Sequence, residues 1–248
     1  MPLTVMSYNI GGNGDDYLID IDSVLRSVRP DAVALLEAME RETVEMLAGN
    51  LGMELVYGEA NNGYHVAWLS RLPVLHTENH RLPGLAKTLL QIDVNWAGMS
   101  VPLFATHLGS RWDGPQPIDE IPVILDVLRP LHDRPHVLVG DFNALRPGDP
   151  VGTPPPGVER FGEAVDGAPR PAIPQLLNAG YADCYRARHP SAAGYTYLTT
   201  YLWLRIDYIF AAPRLTAHLV DCDIVTGPAA EHGSDHFPVW ATFAEPAW

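Results

Sequence analysis

The sequence predicts an α/β fold of the α+β kind, two packed sheets covered by helices, on three observations. Short strand-like runs far outnumber helical patterns. Four of those runs follow one another so closely between His65 and His107 that they must pair antiparallel. The 248 residues are 47% apolar, 19% charged and 9% aromatic, enough to bury a sizeable core and to exclude a disordered or fibrous chain.

Leu3 to Ile10 alternates as a strand does, Asp20 to Val28 has amphipathic helical spacing, and Asp31 to Glu37 is an apolar run ending on an acid. Glu40 to Leu51 reads as a second helix, closed by Gly52. His65 to Ser70, Val74 to Leu82, Thr88 to Asn95 and Met99 to His107 are strands parted by Leu72-Pro73, by Ala97-Gly98 and by similar turn signals. Ile118 to Leu131 is helical with Pro117 near its first turn, and His136 to Asp141 is a buried strand that again ends on an acid. Residues 147–171 hold seven prolines and five glycines, too broken for regular structure. They predict a loop at about 146–171 that overhangs the neighbouring Asn143. Tyr195 to Tyr201, Ile206 to Ala211, Leu215 to Val225 and Pro238 to Phe243 complete the strands. With no repeat and no low-complexity linker, residues 1–248 read as one domain.

Sixteen basic against thirty acidic residues leave a net charge of −14, so a long polyanion gains no general attraction from this surface. An acidic chain that handles phosphate must bring a cation. Only Lys87 among the basic residues is a lysine. Two cysteines, Cys184 and Cys222, cannot build a disulfide framework or a four-ligand zinc site and read as buried or idle thiols. The N-terminal segment lacks the basic and apolar regions of a signal peptide, and no run has the length of a membrane span, so a cytoplasmic protein without membrane insertion is expected.

The chemistry lies at the strand ends. Asn9, Glu37, His107, Asp141 with Asn143, Asp207, and Asp235 with His236 each stand at or beside the end of an apolar strand. Polar groups on core strands are costly unless partnered or bound to a metal, so a shared site is the economical reading. Oxygen-rich ligands without a thiolate select Mg²⁺, Mn²⁺ or Ca²⁺ over zinc. Each residue also has a bland reading: Asn9 as a turn residue, Glu37 as a helix cap, Asp141 and Asn143 as an Asx turn, His107 as a core histidine, Asp207 as the partner of Arg205. Those readings fail together, because turn chemistry does not explain why so many strand ends are polar.

The segments Met6 to Ile10, Leu36-Glu37, Leu69 to Pro73, Thr106 to Leu108, Gly140 to Asn143, Arg205 to Phe210 and Gly233 to Val239, in that order, resemble the endonuclease/exonuclease/phosphatase superfamily, the DNase-I-like fold. The resemblance implies a four-layer α/β/β/α sandwich of two mainly antiparallel sheets flanked by helices, with the metal and phosphate site in loops at one edge. It implies Glu37 as the principal metal ligand, with Asn9 and Asp235 as further metal-site residues, and one or two Mg²⁺ or Mn²⁺ ions as cofactor. Asp141 would orient or deprotonate the attacking water, Asn143 and His107 would hold phosphate oxygens, and Asp207 would fix the imidazole of His236. Relatives often carry an Arg and a Gln where this chain has Pro115 to Glu120.

Weaker signals sit nearby. Tyr195, Tyr197, Tyr201 and Trp203 fit one face of a packed strand, with Tyr197 a candidate substrate contact, and Trp112 is a second. Arg71 reads as structural, paired with an acid. The expectation is a divalent-metal-dependent phosphodiesterase acting on a small or short phosphate ester. A nuclease is the close alternative, although the charge does not favour nucleic acid, and a non-catalytic phosphate-binding module is the alternative of another class. No protein partner is legible.

Overall fold

The computed structural model describes residues 1–11, 17–110, 114–157 and 169–245. The chain runs β1 (Leu3–Asn9), α1 (Leu18–Val28), β2 (Ala32–Leu36), α2 (Arg41–Leu51), β3 (Glu54–Gly58), β4 (Val66–Ser70), β5 (Val74–His80), β6 (Leu89–Trp96), β7 (Met99–His107), α3 (Pro117–Leu128) and β8 (Val137–Asp141). It continues through α4 (Ala172–Asn178), β9 (Ala182–Asp183), α5 (Cys184–Arg188), β10 (Asp207–Ala211), α6 (Pro213–Thr216), β11 (Leu219–Ile224), α7 (Pro228–Gly233) and β12 (Val239–Phe243). One sheet has the order β11-β12-β1-β2-β4-β3, the other β5-β6-β7-β8-β10-β9. Each is mixed and mainly antiparallel, with β1·β2 the parallel pair in the first and β7·β8 in the second.

Strand alternation assigns every side chain to a layer. Val5, Ala34, Trp68, Ile92, Ala105, Val139 and Ile209 fill the space between the sheets. The other parity faces outward: Met6, Tyr8, Val33 and Leu69 pack on α1 and α2, and Phe104, Leu138, Tyr208 and Phe210 on α3 and α4. Helix, sheet, sheet, helix are the four layers. Two unequal parities thus produce one inner and two outer cores.

The departures from sequence expectation are local. Tyr195 to Tyr201 is not a strand: only Tyr197 bridges, to Leu204 and to His236, because the segment folds into a tight turn in which Leu202 N–H returns to Leu198 C=O at 2.8 Å. Its aromatics therefore part, Trp203 buried at 1% and Tyr201 exposed at 46%. The run from Leu215 begins inside α6, since Pro213 seeds a helical turn before β11. Arg71 bonds no acid here; its guanidinium donates to the carbonyls of Pro30 and Leu51, the second at the C-terminus of α2. Strands β3 and β9 and helices α4, α5 and α7 are additional to the reading. Residues 147–157 of the Pro/Gly-rich segment hold no helix or strand, and Gly152 N–H bonds Trp203 C=O at 2.8 Å. Trp112 lies outside the described residues. Cys184 and Cys222 are free and buried. No helix among the described residues is long and apolar enough to cross a membrane.

Candidate active site

Topology gathers the polar strand ends at one edge. Parallel β7 and β8 end there together, and antiparallel β10 begins there, so His107, Asp141 and Asp207 stand in one cross-strand row. In the other sheet parallel β1 and β2 end at Asn9 and Leu36, and the chain before antiparallel β12 brings Asp235 and His236 to the same edge. Asn9, His107, Asp141 and Asp207 share the parity of Val5, Ala105, Val139 and Ile209, so they extend the inner face to where the sandwich opens. Glu37 would follow the opposite parity, but its left-handed backbone, φ 56°, breaks the alternation. Gly140 serves a close approach: a Cβ there would lie 1.8 Å from Thr106 C=O.

A cleft of about 320 Å³ forms at this edge, lined by Glu37, His107, Asp141, Asn143, Asp235 and His236 among others. The amide of Asn9 ties its two sides together, Nδ2 donating to Glu37 Oε1 and to Asp141 Oδ2, both at 3.2 Å, while Oδ1 accepts from Gly11 N–H. Asn9 thus presents its NH₂ rather than its oxygen to the acids. Asp141 Oδ1 accepts from Asn143 N–H at 2.8 Å, closing an Asx turn that holds Asn143 in the left-handed region, φ 46°. The turn expected of this pair is formed, and both residues also line the cleft. His107 Nε2 stands 3.4 Å from Asp141 Oδ2, and its buried Nδ1 has no partner. Asp207 Oδ2 accepts from His236 Nδ1 at 2.8 Å, and the Tyr197 ring packs on that imidazole with centroids 4.7 Å apart. Arg205 is occupied elsewhere, with Asp149 and Asp183.

The electrostatics set the protonation states. Burial opposes charge on His236, yet adjacent Asp207, with Asp141 and Asp235, outweighs it and raises the imidazole to about 10. His107 is held neutral, well below the usual range, by burial, by Lys87 and by His236. Burial and then the Asp207 charge raise Asp141 to about 7. Burial likewise raises Glu37 against the opposing Asn9 hydrogen bond, and it lifts the Tyr197 phenol to about 12.

These acids are under-compensated by protein cations, which bears on the metal. Asp207 Oδ1 is buried with no hydrogen-bond partner among the described residues, and Asp141, Asp207 and His236 offer ligand atoms within 4.8 Å of one another. The donors are carboxylates, amides and imidazole. They fit a hard divalent cation, which would draw the raised carboxylates back to their charged forms. Lys87 and Tyr64, which sequence reasoning did not assign to the site, also line the cleft. The solitary lysine was visible, but nothing in its own segment placed it beside His107.

The sequence matches the model of the Endonuclease/Exonuclease/phosphatase family over residues 6–236. Among curated proteins no sequence matches this chain. Similar solved structures include truncated TDP2 from Caenorhabditis elegans, with 21% identity, 98% of this chain and 97% of that one covered, and a TM-score of 0.71. An AP endonuclease from Archaeoglobus fulgidus has 23% identity, 97% and 99% coverage, and a TM-score of 0.72. TDP2 from D. rerio, complexed with a single-strand DNA product, has 19% identity, 98% and 99% coverage, and a TM-score of 0.68. At these identities the likeness is one of fold.

Proposed function

The chain belongs to the Endonuclease/Exonuclease/phosphatase family, and from that premise we propose that it is a divalent-metal-dependent phosphodiesterase acting on a small or short phosphate ester. The observation that carries the proposal is the His236 imidazole, held by Asp207 at 2.8 Å and facing Asp141 at 3.9 Å across a cleft that also holds Glu37. One Mg²⁺ or Mn²⁺ would be held by Glu37 and Asp235, with Asn9 fixing Glu37 relative to Asp141. The cation supplies charge neutralisation on the phosphoryl oxygens and acidifies bound water.

The remaining work falls to the chain. Asp141, near 7, is matched to accept a proton from an attacking water at neutral pH. The His236 imidazolium offers Nε2–H to a phosphoryl or departing oxygen, with Asp207 as its counter-charge. His107 is neutral and donates from one ring nitrogen, beside the Asn143 amide, to the non-bridging oxygens. Tyr197 would bound the substrate where it packs on His236. The small cleft and the net charge of −14 favour a short substrate.

A nuclease is the second reading, favoured by the structural neighbour that holds single-strand DNA product. Bis-p-nitrophenyl phosphate, p-nitrophenyl phosphate, single-stranded DNA and plasmid DNA, each assayed with Mg²⁺, Mn²⁺ or excess chelator, separate the cases. Cation-dependent hydrolysis of the small diester ahead of DNA is expected. Preferred cleavage of DNA selects the nuclease, and binding of phosphate without hydrolysis of any ester leaves only a binding module.

A further inference from the structure

Lys87 is the one lysine of the chain; it is 1% exposed and lines the cleft. Its Nζ donates to Leu108 C=O at 2.9 Å, the carbonyl that also accepts Asn143 Nδ2 at 3.0 Å. Two donors thereby converge on one oxygen, and an ammonium and an amide stand side by side on the cleft wall. The Tyr64 ring lies 5.6 Å from Nζ, and a cation over a ring face is held electrostatically.

The placement is built from below. Glu120, fully buried on α3, accepts Ala86 N–H at 2.8 Å and Gly109 N–H at 2.6 Å. One carboxylate therefore fixes the backbone just before Lys87 and just after Leu108. Gly109 is needed for that approach, because a Cβ there would meet Pro115 C=O at 2.1 Å. A compact ammonium carries three donors and can follow a phosphoryl oxygen as its geometry changes.

We infer that Lys87 is a substrate-binding residue of the cleft, its ammonium donating beside the Asn143 amide to a non-bridging oxygen of the bound phosphate ester. The inference rests on the phosphoesterase reading of the same cleft. Lys87→Gln and Lys87→Arg are compared with the wild type in Mg²⁺, first by calorimetric titration with inorganic phosphate, which needs no turnover, and then by kinetics on bis-p-nitrophenyl phosphate. Loss of one charge-assisted hydrogen bond predicts phosphate affinity and kcat/KM about 10- to 100-fold lower in Lys87→Gln, mostly through KM. Lys87→Arg, which keeps the charge, should recover most of the phosphate affinity. A melting temperature close to wild type checks the fold; Lys87→Met, which keeps the apolar stem, takes its place if Lys87→Gln does not fold. Phosphate affinity unchanged in the neutral variant overturns the inference and leaves the hydrolytic reading standing. A wild type that binds phosphate through Lys87 but hydrolyses no ester overturns the hydrolytic reading instead.

Discussion

Arg205 and Asp207 stand two positions apart and do unrelated work. Arg205, 1% exposed, is bonded by Asp149 and Asp183 and lies 4.4 Å over the Tyr208 ring, whereas Asp207 is committed to His236. Their substitutions should therefore dissociate. Arg205→Met takes the buried cation from Asp183 and Asp149, of which Asp149 keeps Arg186 at 2.8 Å, and should cost about 3 kcal/mol, or on the order of 10 °C in Tm for a chain of this size. Asp207→Asn takes the counter-charge from buried His236, so some Tm is lost, but it should also lower kcat on the order of 10²-fold, which Arg205→Met should not; His236→Ala should match that loss of kcat, and the double variant should be little worse, since the pair acts as a unit. Multiplicative losses of kcat in the double, or a kcat near wild type in Asp207→Asn, would return Asp207 to a structural role. Sequence alone left Asp207 open between Arg205 and His236, because a pairing across 29 positions depends on strand register. His136 supports a third prediction. It is buried between Arg134 C=O and the Tyr181 hydroxyl, and burial lowers its pKa from 6.5 to about 4. The unfolded chain then binds the extra proton between those values, so stability present above 6.5 is lost as pH falls toward 4. Relative to His136→Gln, the wild type should lose roughly 2 kcal/mol between pH 7.5 and pH 5 in urea unfolding. Parallel losses in both proteins would place the acid sensitivity elsewhere.

Strands were legible where burial imposes alternation or an unbroken apolar run, and the site was legible because it begins where those runs stop. His107, Asp141 and Asp207 each interrupt an inner-face parity that is otherwise apolar, and Asn9 follows buried Ser7 on that face of β1. Helices of the second half were not legible for the converse reason: α4, α5 and α7 span seven, five and six residues, too short to establish a 3.6 period. Tyr195 to Tyr201 misled because its aromatics alternate as a strand's do, while one lines the cleft, one is exposed and neighbouring Trp203 is buried. Helix α3 has its own role in the site. Glu120 reaches from its first turn to two loop amides, and no motif marks it. Glu120→Ala should leave two buried N–H donors unpaired and cost on the order of 3 kcal/mol, with KM raised because the backbone on both sides of the Lys87–Leu108 contact is released. Glu120→Gln, with one acceptor kept, should fall between. Urea midpoints and KM measured together test this, and a destabilised variant with unchanged KM would confine Glu120 to stability alone.

At the scale of the whole molecule the net charge is −14, and four of its acids, Glu37, Asp141, Asp207 and Asp235, converge on one sheet edge. Self-repulsion of that kind weakens the folded state, and burial already raises Glu37 and Asp141 toward their neutral forms. A cation that binds only the folded chain should therefore be read out as stability before any substrate is known. At 100 times its Kd such a ligand adds about 2.7 kcal/mol, which for a chain of this length is roughly 5–10 °C in Tm. Mg²⁺ should raise Tm by that order, chelator should reverse it, and hydrolysis should vanish with it. Diffuse screening of an acidic surface would also raise Tm, but any salt of equal ionic strength would do the same. Glu37→Ala separates the two. Removing one crowded carboxylate should leave the metal-free Tm unchanged or slightly higher, while the Mg²⁺ increment shrinks toward that of matched monovalent salt. Asp141→Asn should lower kcat and keep most of the increment if Glu37 is the principal ligand. Should Asp141→Asn abolish the increment and Glu37→Ala preserve it, the cation belongs with Asp141, Asp207 and His236, and the proton-accepting role proposed for Asp141 fails with the same measurement.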